Sequence, residues 1–200
     1  MNELTDGQLV SRYLSGDQEG FNILVRRWEK RIYNFVLRYR GNREEAQDLC
    51  QDVFTSAFQR LSSLREPERF SSWLYSIALN ACRMRVRSTG GRRMVPIDEP
   101  ENLETADLQM QKRSGEASLN PEQILARREG ELWVRQAMAQ LSEEQRVVLI
   151  LKEYEGLKFH EIAEVLGSPV STVKSRLYLG LEAMRRQWEQ RRAPAETVSK

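Results

Sequence analysis

Residues 158–181 read KFHEIAEVLGSPVSTVKSRLYLGL, two short helical patterns on either side of a glycine. In the first, Phe159, Ile162, Ala163 and Leu166 fall at i, i+3, i+4 and i+7 and make one apolar face. Gly167 can take the left-handed backbone that ends a helix. Ser168 suits a cap and Pro169 the first turn of the helix that follows. In that helix Val170, Val173, Leu177, Leu181 and Met184 form an apolar stripe. Ser171, Lys174, Ser175 and Tyr178 share a different face, with Arg176 beside it. A helix tied down on one side and offering donors on another is what a DNA major groove accepts. A helical hairpin with a solvated outer face fits the same spacing. The capped turn and the small exposed residues favour a helix-turn-helix.

The whole chain has 200 residues, room for one domain or two small ones. Its net charge is only +2, so nucleic-acid affinity must come from local clusters of charge. No apolar run has the length of a membrane span and MNELTDGQLV has no signal-peptide core, so a cytoplasmic protein is expected. Cys50 and Cys82 stand far apart, neither in a CxxC, and His160 is the only histidine. That composition argues against a zinc site and for two buried thiols, with no cofactor.

Helical periodicity runs through most of the chain and no alternating strand pattern stands out, so the expected class is all-α. Residues 5–14 predict a first helix capped by Thr5 or Asp6, with Leu9, Val10 and Tyr13 inward. Residues 18–40 predict a long second helix, closed at Gly41-Asn42. Residues 43–61 predict a third, and 70–88 a fourth, joined by the polar connection 62–69. The period is lost after Thr89-Gly90-Gly91. Residues 94–131 hold nine acidic and four basic residues, which suggests a flexible acidic linker with helical character around 103–112. A second helical unit begins at Asn120-Pro121, with Ile124, Leu125, Leu132, Val134, Met138 and Leu141 available to pack. Ser142-Glu143-Glu144-Gln145 is a capping box for a helix reaching Tyr154. The resulting plan is a helical domain over 1–90, a linker over 91–120, a second helical domain over 121–190 and a polar tail over 191–200.

Two further surfaces carry chemistry. Residues 83–93 contain five arginines and no acid, a run that attracts phosphate. Trp73, Tyr75 and Asn80 precede it, and aromatics with an amide suit unstacked bases. A solvated basic helix end explains the same arginines. On the third helix Asp48, Gln51 and Asp52 lie outward with Phe54 and Phe58. Paired carboxylates can serve acid–base catalysis, but no histidine, nucleophile or glycine-rich loop joins them. A solvated face and a docking surface for a basic partner are the remaining readings. No enzyme activity is expected.

These pieces, in order, resemble the extracytoplasmic-function sigma factors, bacterial proteins that keep only sigma domains 2 and 4. The resemblance rests on residues 21–39, on AQDLCQDVFTSAF at 46–58, on FSSWLYSIALNACRMRVR at 70–87 and on residues 141–181. It implies that Asp48, Gln51, Asp52, Phe54 and Phe58 dock on the coiled coil of the polymerase β′ subunit. It implies that the loop over 62–69, including Arg65 and Arg69, opens and reads the −10 element with Trp73, Tyr75, Asn80, Arg83 and Arg87. It also implies that Ser171, Thr172, Lys174, Ser175, Arg176 and Tyr178 read the −35 element. The linker would thread near the polymerase active centre, and the second domain would meet the β flap. Core RNA polymerase, promoter DNA and an anti-sigma factor are the implied partners. Leu179-Gly180 departs from the basic residue and alanine common in the family, so the −35 preference is not transferable. A helix-turn-helix regulator working without polymerase shares the second domain but leaves the Asp48–Phe58 surface and the Trp73–Asn80 cluster unexplained. A helical protein adaptor predicts no DNA selectivity.

Overall fold

In a computed structural model of the protein, residues 4–88 and 120–192 are described. Helix α1 is Asp6–Leu14, α2 is Glu19–Arg40 and α3 is Arg43–Arg60. Two 3₁₀ turns, Leu61–Ser63 and Pro67–Arg69, lead into α4, Phe70–Ser88. The second unit begins with α5, Pro121–Gln140, and α6, Glu143–Leu149. A π-helical segment, Ile150–Tyr154, continues from α6, and α7, Phe159–Leu166, and α8, Val170–Arg192, follow. Among the described residues all regular structure is helical. The expected linker, its helical character around 103–112 and most of the expected tail lie outside the described residues.

Local chemistry accounts for the helix starts. Thr5 and Gln8 form a reciprocal capping box, as do Asn120 with Gln123 and Ser142 with Gln145. Each satisfies two backbone amides that a helix start would otherwise leave unpaired.

In the first unit α2 packs on α1, α3 and α4. Its inward row includes Leu24, Trp28, Ile32 and Phe35, all buried. Trp28 stands edge-on to Phe70 at 6.1 Å and to Tyr75 at 5.7 Å. Its indole donates to Asp6 at 3.0 Å, and Arg27 bonds the other oxygen of that carboxylate at 2.6 Å, which ties α1 down. A Cβ on Gly20 would lie 2.6 Å from the Leu9 carbonyl oxygen, so only glycine permits this approach of α1 to α2.

In the second unit α8 packs on α6 and α7. Gly167 ends α7 at φ +58°, as its place in the sequence predicts. Other details differ from expectation. The Ser168 hydroxyl donates to the Leu166 carbonyl rather than capping α8, and the Pro169 carbonyl accepts from Val173 as the residue before the helix. The buried seam of α8 runs through Val173, Leu177, Gly180 and Met184. Val170 and Leu181, expected in that stripe, are exposed. Gly180 lies in the seam instead, where a Cβ would meet Gln145 at 3.4 Å and Leu141 at 3.8 Å, ordinary packing distances. Ile124, Leu125 and Leu132, expected to pack, are also exposed, whereas Val134 is half-buried and Met138 and Leu141 are buried. The first half of α5 projects past the helices that cover its second half. The helix expected to reach Tyr154 widens to π geometry at Ile150, with Glu155 N–H bonded to the Ile150 carbonyl at 3.2 Å.

Candidate nucleic-acid interface and docking groove

Between α2 and α3 lies a groove of about 1000 Å³. Phe21, Phe54 and Phe58 line it, with Asp48 and Gln51 on the α3 side and Arg26 and Lys30 on the α2 side. Asp48, Gln51 and Asp52 are exposed, Phe54 is half-buried and Phe58 is 50% exposed. Phe58 is held edge-on by Phe21 at 5.3 Å and by Tyr13 at 6.0 Å. Asp52 also meets Arg85 at 3.4 Å. The surface combines carboxylates, an amide and half-exposed rings, and it carries both apolar and charged binding capacity. Sequence reasoning missed the α2 wall. Val25 of α2 is half-buried and lines this groove.

The residues of the aromatic and arginine-rich segment divide. Trp73 is half-buried, tilted against Phe70 at 5.9 Å, and Arg65, Asn80 and Arg87 are exposed. Tyr75 is not a surface residue in this structure. It is 0% exposed, edge-on to Trp28 and Phe35 of α2, with its hydroxyl directed to Glu155 of the second unit. Arg69 and Arg83 are engaged by the second unit, with Arg69 3.0 Å from Glu164 and Arg83 2.8 Å from Glu143.

On α8 the sequence-derived face is real. Ser171, Lys174, Ser175 and Tyr178 are exposed together, and Tyr178 is 63% exposed. Thr172 and Arg176 are half-buried beside them. Arg176 reaches Ser168 at 3.5 Å, and the Lys174 ammonium sits 5.5 Å from the centre of the Phe159 ring. Contacts from the turn and from α7 therefore orient Arg176 and Lys174, while the hydroxyls of Ser171 and Ser175 and the phenol of Tyr178 stay exposed.

A junction that no sequence pattern announced joins the two units. Glu155, just after the π segment, points inward with its side chain 4% exposed. Tyr75 donates its hydroxyl to one Glu155 oxygen at 2.6 Å. Arg38 lies 3.5 Å from the other, and Arg31 donates to the Glu155 carbonyl at 2.9 Å. Arg38 also stacks over the Tyr154 ring at 4.5 Å. A buried carboxylate is costly unless paired, and here a phenol and two guanidiniums share it. Burial, then the Glu155 charge and hydrogen bond, push the Tyr75 hydroxyl well above the ordinary phenol range, so it remains a donor. Nearby, burial would raise the Glu143 carboxyl, but hydrogen bonds from Arg83 and Tyr39 and the charges of Arg83 and Arg146 hold it below its usual value. The charge-assisted bond to Glu155 contributes about 1.5–3 kcal/mol, and the two half-exposed pairs about 0–1 kcal/mol each. Among the described residues no group of histidine, cysteine, aspartate and glutamate is arranged to hold a metal ion, and no helix is long and apolar enough to cross a membrane.

Two family descriptions match this chain: sigma-70 region 2 over residues 24–92 and sigma-70 region 4 over residues 131–184. The RNA polymerase sigma-H factor of Pseudomonas aeruginosa is 35% identical over 90% of this chain and 91% of that protein. The ECF RNA polymerase sigma-E factor of Escherichia coli K12 is 33% identical over 91% of this chain and 93% of that protein. Among solved structures, the sigma factor RpoE in complex with the anti-sigma factor NepR from Bartonella quintana has a TM-score of 0.60 at 20% identity. It covers 84% of this chain and 96% of that one, a likeness of fold.

Proposed function

Because this chain belongs to the extracytoplasmic-function group of sigma-70 RNA polymerase sigma factors, we propose a division of promoter recognition among its surfaces. A sigma factor directs core polymerase to promoters, and that is the activity of this protein. Residues 1–90 form domain 2 and residues 121–190 domain 4, with 91–120 as the tether. The groove lined by Asp48, Gln51, Phe54 and Phe58, together with exposed Asp52 outside its lining, takes the β′ coiled coil, while domain 4 meets the β flap. Arg65, Arg69, Trp73, Asn80, Arg83 and Arg87 capture the −10 strand, with arginines on phosphate and the ring and amide on bases. Tyr75 supports that surface from the core. The α8 face from Ser171 to Tyr178 reads −35 duplex. Neither DNA surface needs high affinity alone, because polymerase holds both at fixed spacing and raises their effective concentration.

The observation that carries this reading is the pairing, in one chain, of an exposed donor-bearing helix-turn-helix face with a separate aromatic and arginine-rich helix. No reaction is assigned to the chain, which acts with polymerase in the cytoplasm. An anti-sigma factor that covers these surfaces is the proposed restraint, by analogy with the RpoE–NepR complex. The test is transcription in vitro with core polymerase on a genomic promoter library, alongside gel filtration. Co-elution with core and promoter-dependent initiation are expected. Initiation no greater than that of core alone would overturn the assignment.

A further inference from the structure

We infer that Leu179 is a specificity-determining residue of the upstream contact, and that it selects thymine by packing on the C5 methyl group in the major groove. The inference rests on the assignment of the α8 face to −35 duplex. Leu179 is 56% exposed, and Tyr178 beside it is 63% exposed. A single exposed leucine is ordinary on a protein surface. This one continues the row Ser171, Ser175, Leu179 at i, i+4 and i+8, and all three side chains are exposed. Val173, Leu177, Gly180 and Met184 are buried on the opposite side and fix the rotation of the helix. At about 100° per residue, Leu179 lies nearer the centre of the outward face than Lys174 does. From Ser171 to Leu179 the helix rises about 12 Å, which is about the width of the groove. Glu182, three residues further along, holds Arg186. Its carboxylate would meet phosphate with like charge, so the DNA-facing segment ends at Leu179.

The chemistry of the groove floor names the ligand. Base edges there present hydrogen-bond donors and acceptors and one apolar group, the thymine methyl. The hydroxyls of Ser171, Ser175 and Tyr178 can donate or accept, whereas the Leu179 side chain can do neither. A polar base edge pressed against that side chain gives up water and gains no partner, which is costly. A methyl group gives up nothing and adds buried apolar area. Leu179 therefore favours a T·A pair and disfavours G·C at the position it meets. Because it carries no charge, it contributes base selection and no phosphate affinity, so its contribution is independent of salt.

The experiment uses the full chain with core polymerase on a promoter found by mapping start sites. Each thymine of the −35 element, on either strand, is replaced in turn by deoxyuridine. That change removes the methyl group and keeps the hydrogen-bonding edge. Affinity is read by competition against a fluorescein-labelled promoter duplex. At one position the native protein should lose about fourfold, the worth of one buried methyl group. Leu179→Ala should bind the unmodified promoter about fourfold or more less tightly and be indifferent to deoxyuridine at that position. Its slope of affinity against salt should match that of the native protein. Leu179→Met keeps an apolar tip and should keep the discrimination. Leu179→Arg should move the preference at that pair to guanine, a gain that misfolding cannot produce. The inference is overturned if no deoxyuridine weakens binding, or if Leu179→Ala retains the native discrimination. It is also overturned if Leu179→Ala weakens all sequences equally and still responds to deoxyuridine, as loss of a contact with polymerase would. Scrambling the whole −35 element is measured on the native protein in parallel. Initiation that ignores scrambling would remove the −35 assignment itself, whereas sensitivity to scrambling without sensitivity to any thymine methyl would remove only the role of Leu179.

Discussion

The hydroxyl of Tyr75 and the carboxylate of Glu155, 80 residues apart in the chain, meet at 2.6 Å in a buried hydrogen bond that joins the two helical units. This contact links stability to domain arrangement. Tyr75→Phe removes the donor but keeps the ring between Trp28 and Phe35. The variant should lose about 1–3 kcal/mol, with a lower melting temperature by calorimetry. In a double-mutant cycle with Glu155→Ala, the coupling energy should reach about 1–2 kcal/mol in urea unfolding. Additive single effects would show that the bond contributes nothing to joining the units.

The groove between α2 and α3 separates binding from folding. Phe58 is 50% exposed, so Phe58→Ala removes a ring that is only partly committed to the core. Thermal stability should change little. Affinity for core polymerase, measured by competition with the native chain, should fall about tenfold or more, as for an aromatic anchor at an interface. Asp48→Ala should show the same direction with a marked dependence on salt. Unchanged competition in both variants would move the docking surface elsewhere.

Lys174 and Arg176 test the upstream contact. On a promoter found by mapping start sites after overexpression, scrambling the −35 element should reduce initiation by the native protein. The double variant Lys174→Ala with Arg176→Ala should start from that reduced level on the intact promoter, a loss of roughly tenfold or more. It should then be indifferent to scrambling. If initiation stays fully sensitive to the −35 sequence, α8 does not read it through these residues.

The two cysteines bear on pH. Burial, then the Glu29 charge, pushes Cys50 up to about 11, and burial pushes Cys82 up to about 12. Neither thiol should react with iodoacetamide at pH 8 in the folded chain, and both should react after unfolding. Because both values are raised from 9.0, their contribution to stability is complete below pH 9 and is lost as pH rises toward 11 and 12. Denaturant titrations in that window should show this decline, reduced in the Cys82→Ser variant. Rapid labelling of native protein at pH 8 would contradict the burial argument.

Residue order alone settles what depends on neighbours three and four positions away. The capping boxes at Thr5, Asn120 and Ser142, the left-handed stop at Gly167 and the outward face of Ser171, Lys174, Ser175 and Tyr178 are all local relations, legible as spacing and residue type. Long-range packing sets which ridge meets which. It put Gly180 rather than Leu181 in the seam of α8, left Ile124 and Leu125 uncovered and brought α2 into the wall of the groove. Above all it turned Tyr75 from a surface candidate into a buried donor and Glu155 into its acceptor. In sequence a glutamate beside a glycine looks like any solvated acid. Only the approach of two distant helices creates the low-dielectric site in which that carboxylate requires a phenol and two arginines.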